Sequence, residues 1–168
     1  MKKLLTTIGL VIVSHNLQAV NNVSWNLVEA IRQVEACDRK HIKPEVHQGT
    51  CCLGDHGMAR GQWQFWAIAW RDVTLARGRH KLVTFSYDFA WKEGHARVYA
   101  HDYLEILRGR FIKKARREPS VAELWAVWNT GLGKFFGKYE GDFDKVPERT
   151  QLDAAIIENA IKKMEREN

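Results

Sequence analysis

The sequence predicts a mainly α fold that carries one small β-turn or hairpin. Apolar residues recur at three- and four-residue spacing in several separate stretches of the chain. That pattern is interrupted by a glycine-hinged acidic run, Gly54-Asp55-His56-Gly57-Met58-Ala59-Arg60-Gly61. With 168 residues, the chain is long enough for one domain with a sizeable core and too short for two comfortable ones. Hydrophobic residues at 45% and charged residues at 27% place it among ordinary globular proteins.

Residues 1–19, MKKLLTTIGLVIVSHNLQA, join a Lys2-Lys3 head to an apolar run from Leu4 to Val13 and end at the small residue Ala19. This layout predicts a signal peptide, since the run is too short to span a membrane. The expected mature protein is therefore secreted or periplasmic, with no membrane segment.

Ser24 is the expected N-cap of a helix reaching about Ala36. Val28, Ile31 and Glu35 share one face of it, with Leu27 and Val34 beside them. A carboxyl on an apolar stripe is expected to hold its proton to unusually high pH, which suits a general acid. The plainer alternative pairs Glu35 with Arg32 or Arg39. Residues 38–54, with Pro44, Gly49 and Gly54, read as a loop. Gly54, Gly57 and Gly61 then allow tight backbone geometry around Asp55, which is either a second functional carboxylate or a turn-forming aspartate.

Helical spacing resumes from Gln64 to about Ala76, with Phe65, Ile68, Ala69 and Asp72 in register. Most of Trp63, Trp66 and Trp70 are expected in the core. Arg77-Gly78-Arg79-His80-Lys81 is expected to form a loop, and a further helix is expected from Asp88 to Arg108. Lys113-Lys114-Ala115-Arg116-Arg117 reads as a solvated connection. Ser120 and Glu123 form a capping box, followed by Val121, Leu124, Trp125 and Trp128 on one face. Asn129-Thr130-Gly131-Leu132-Gly133 is expected to be a turn. The last helix is expected near Thr150, with Ile157, Ala160, Ile161 and Met164 inward.

The net charge of +6 becomes +4 once Lys2 and Lys3 leave with the signal. No nucleic-acid-binding motif accompanies that charge. Cys37, Cys51 and Cys52 cluster in one stretch of an exported chain, which predicts a disulfide from Cys37 to Cys51 or Cys52. Neighbouring cysteines rarely bond each other. A zinc site adding His41 and His47 is the sharper alternative, but the spacing fits no standard ligand pattern. No metal or other cofactor is expected.

Taken in order, Glu35, GDHGMARGQWQF, AWRDV and WNTG resemble the landmarks of the lysozyme-like superfamily. The pattern is nearest to invertebrate-type (destabilase-like) lysozymes and their bacterial relatives, with lytic transglycosylases as near neighbours. The resemblance covers roughly Val28 to Val146. It implies a two-lobed, mainly α domain (α+β, lysozyme-like) over residues 20–149, with a β-hairpin or turn beside the cleft and residues 150–168 as an added C-terminal helix. It also implies Glu35 as the catalytic acid and Asp55 as the second carboxylate. Gln64 and Asn129 fall at substrate-contacting or site-shaping positions, and Trp63 joins them as a substrate-binding candidate. Asp72 falls at a structural position.

Ala36 stands where serine is usual, Phe65 where isoleucine is usual, and Thr130 where the first glycine after asparagine is usual. The expected partner is the peptidoglycan glycan strand, met by a monomer with no nucleic-acid role. Positive charge suits an anionic wall, and indole faces among the seven tryptophans can stack on sugar rings. Three outcomes stay open: hydrolysis at the muramyl bond, internal attack giving an anhydro-sugar, or wall binding without turnover.

Overall fold

A serine hydroxyl can satisfy one of the donors left unpaired at a helix start, and Ser24 does so, accepting from Leu27 N at 3.1 Å. Helix α1 follows over Trp25–Glu35 and buries Leu27, Val28, Ala30 and Ile31. The computed structural model describes residues 22–35 and 58–167. The signal segment, Arg39, the cysteines with His41 and His47, and Asp55 lie outside the described residues.

Strands β1 (Ala59–Arg60) and β2 (Phe65–Trp66) pair antiparallel, Ala59 opposite Trp66 and Arg60 opposite Phe65. The turn between them needs Gly61. Its φ is +75°, and a Cβ there would lie 2.0 Å from the Ala90 carbonyl oxygen. Gln64 also takes a positive φ of 48°, and its own Nε2 donates to Gly61 O at 2.8 Å. The helix expected from Gln64 therefore begins later. Residues 61–66 are consumed by the hairpin, and α2 spans Ala67–Arg79, carrying helix through most of the expected basic loop.

The segment after α2 is pinned at Phe85, whose N–H donates to the Tyr99 hydroxyl (2.8 Å) and whose carbonyl accepts from Trp70 Nε1 (2.9 Å). A 3₁₀ turn, Tyr87–Trp91, precedes α3, Glu93–Ala115. The expected helix from Asp88 is thus split at its start and extended at its end. Lys113, Lys114 and Ala115 are its last turn and not a connection, because cations stabilise the negative helix C-terminus. Arg116 closes it in the left-handed conformation, φ 61°. The Ser120–Glu123 capping box is formed as expected and opens α4, Val121–Thr130. The expected turn at Asn129–Gly133 is shorter. Only Gly131, at φ 83°, breaks the helix before α5, Leu132–Gly137. A 3₁₀ turn at Phe143–Lys145 leads to α6, Glu148–Glu167.

The described residues are thus mainly helical, with one small antiparallel sheet. Helix α6 packs against both α1 and α4. It places Ala154 and Ile157 in the shared core, with Ala160, Ile161 and Met164 packed on it. Trp125 Nε1 donates to Thr150 O at 3.0 Å, so α6 shares one core with α1 and α4. Among the described residues no helix is long and apolar enough to cross a membrane.

Candidate functional site

Buried indoles need an acceptor for their N–H, and two tryptophans meet that need in ways that build the site. Trp63 is wholly buried and donates from Nε1 to Val28 O at 2.9 Å. That bond ties the hairpin to α1, and Glu35 lies seven residues beyond Val28 on the same helical face. Trp63 therefore has no exposed face for a sugar. Its candidacy for substrate binding is replaced by a role in holding α1 against the hairpin.

The second indole is Trp128, on α4. Its Nε1 donates to Glu35 Oε1 at 3.0 Å, across 93 residues of chain. The Trp128 ring meets Phe65 and Tyr103 in edge-on contacts, with centroids at 5.5 and 5.4 Å. Together these rings form one wall of a cavity of about 580 Å³ between β2, the start of α2, the middle of α3 and the α4–α5 junction. The Glu35 carboxylate is one hydrogen bond from that wall. Arg32, its alternative partner, is engaged elsewhere. Its guanidinium bonds the Glu29 carboxylate and donates to Gln62 Oε1 at 3.1 Å. That hydrogen bond from Arg32, opposed in part by burial, holds the Glu29 carboxyl below the usual carboxylate range.

Gln64 and Asn129 both line the cavity. The Gln64 amide is oriented by its bond to Gly61 O. Asn129 Oδ1 accepts from the Thr150 hydroxyl at 3.0 Å, which orients the Asn129 amine as a donor with no partner among the described residues. Thr130 bonds back to Ala126 O at 2.7 Å, so its hydroxyl extends the helical pattern. Asp72 pairs with Arg110 at 2.9 Å, in keeping with a structural role.

Besides Trp128, the lining residues missed by the sequence reading include three with chemistry to offer a ligand. Tyr103 counted only as one of the apolar residues of its helix, yet its ring faces the cavity. Burial, with a lesser push from Asp72, raises its phenol above the ordinary value, against the opposing charge of Arg110. It therefore stays a protonated donor at neutral pH. Trp66, 42% exposed, offers the indole face that Trp63 does not. A two-residue alternation beside buried Phe65 was the available signal, hidden by the helical spacing around it. Lys134, just past the expected Asn129–Gly133 turn, is the third. Among the described residues no cluster of histidine, cysteine and carboxylate side chains is arranged to hold a metal ion. No family model, curated protein or solved structure gives a significant match to the chain.

Proposed function

We propose that this protein is an exported, monomeric glycoside-cleaving enzyme of lysozyme-like fold. Its substrate is the peptidoglycan strand, cut at the β-1,4 bond between N-acetylmuramic acid and N-acetylglucosamine. The observation that carries this reading is that Gln64 and Asn129 line one cavity and that Trp128, a third lining residue, donates its indole N–H to Glu35. Two residues singled out for a carbohydrate site line a cavity rich in aromatic and amide groups, and the third is one hydrogen bond behind its Trp128 wall. Aromatic faces suit sugar rings, and amide donors suit acetamido carbonyls.

In this reading Glu35 protonates the leaving glycosidic oxygen. Asp55 serves as nucleophile or stabilises the developing positive charge, and water completes the reaction with retention. Gln64, Asn129 and Tyr103 orient the sugars, and Trp66 and Trp128 exclude water along one side.

Digestion of purified peptidoglycan, with the products weighed, tests the assignment. Wild type is expected to release mainly reducing muramyl ends. Glu35→Gln is expected to lower the rate by about 10²–10⁴-fold with the fold intact by circular dichroism. Asp55→Asn is expected to lower it strongly but by less. Predominantly anhydro ends, lighter by one water, with an active Asp55→Asn variant, would instead make the enzyme a lytic transglycosylase. Absence of digestion by folded wild type would leave a wall-binding module.

A further inference from the structure

The cavity carries a single formal charge on its described lining, and that charge is positive. Lys134 lines it from the first turn of α5, is exposed, and has no carboxylate partner among the described residues. Among the described residues no aspartate or glutamate lines the opening. The other lining groups are aromatic, aliphatic, amide or hydroxyl, which suit a neutral sugar face. An isolated ammonium among them is idle toward a neutral glycan and attractive toward an acidic one.

We infer that Lys134 is the specificity-determining contact of this site, holding a carboxylate carried on an acidic amino-sugar strand, so that acidic glycan is preferred over neutral chitin. The inference rests on the glycan-cleaving reading above. A single lysine on the lining matches one carboxylate per disaccharide and not the dense charge of a polyphosphate, which needs several cations. A strand offers that carboxylate in two ways. Where the stem peptide is absent, the lactyl group of the muramyl sugar ends in a free carboxylate. Where the peptide is present, the lactyl group is an amide and the carboxylates belong to the peptide.

Calorimetric titration of the full mature chain, in the Glu35→Gln background to prevent turnover, separates these cases. The probes are chitotetraose, a peptide-free muramyl tetrasaccharide and the same tetrasaccharide bearing stem peptides. At least one acidic probe is expected to bind about tenfold more tightly than chitotetraose, a difference of about 1.4 kcal/mol. The preference is expected to shrink at high salt. Lys134→Gln is expected to bring the acidic-to-neutral ratio close to one, and Lys134→Arg to restore most of it. Preference for the peptide-free probe identifies the lactyl carboxylate, and preference for the peptide-bearing probe identifies the stem. Equal affinity for charged and neutral probes, a ratio unmoved by Lys134→Gln, or no binding of any probe overturns the inference. The hydrolytic reading is judged separately. Charge-dependent binding without peptidoglycan turnover by wild type would keep Lys134 and remove the enzyme, and turnover without charge preference would do the reverse.

Discussion

The bond from Trp128 Nε1 to Glu35 is the contact on which the geometry of the site turns, and it can be removed without emptying the space around it. Trp128→Phe keeps an aromatic ring against Phe65 and Tyr103 but deletes the donor. A charge-assisted bond of this kind contributes about 1.5–3 kcal/mol, so peptidoglycan turnover is expected to fall about tenfold or more. Thermal stability is expected to change less than in a truncation to alanine. An unchanged rate in Trp128→Phe would mean that Glu35 is positioned by other contacts. This pairing was illegible in the sequence, because nothing in local periodicity links residues 93 positions apart. Glu35 itself was legible as a carboxyl on an apolar stripe. Trp63 was misjudged for the opposite reason. Its neighbour Gln64 drew attention to it, while its burial depends on the distant carbonyl of Val28.

Among the elements, α4 is the one whose start was most fully written in local sequence, and its cap carries a pH dependence. Burial pushes the Glu123 carboxyl up, but hydrogen bonds from Arg117 and from Ser120 outweigh it, leaving the group below its ordinary value of 4.5. A carboxyl depressed in the folded state stabilises the fold above the unfolded value and loses that contribution as pH falls through the folded one. Glu123→Gln keeps the capping geometry and removes the charge. It is expected to cost about 1 kcal/mol at neutral pH, a modest figure because Arg117 is half exposed. It is also expected to flatten the loss of stability below about pH 4.5, seen in urea midpoints measured across pH. Other boundaries escaped sequence reading because two patterns overlapped. Phe65, Ile68, Ala69 and Asp72 fit a helix, yet Gly61 and the strained Gln64 spend the first of these residues in a hairpin. At the end of α3, the run Lys113–Arg117 looked like a solvated link, although lysines also suit the last turn of a helix.

For the whole molecule, the informative helix is the last one. Its inward set was correctly read from periodicity, while the helices it packs against, α1 and α4, could not be named from local sequence. Ile157 is wholly buried, whereas Leu152 on the same helix is 57% exposed. Ile157→Ala is expected to cost about 2–5 kcal/mol in a denaturant titration. Leu152→Ala is expected to stay within about 0.5 kcal/mol. Similar small losses for both would show that α6 frays from the core in solution.

The packing of α6 on α1 also bears on the order in which the protein is made. Helix α1 carries Glu35 and is synthesised first among the described elements, while α6, against which it packs, comes after all the others. Until then Leu27 and Ile31 lack part of their cover, and a short isolated helix is marginal in water. The packing around Glu35 is therefore completed only after α6 has been made. Truncation before α6 is therefore expected to leave that face of α1 uncovered and the Trp128–Glu35 contact less firmly held.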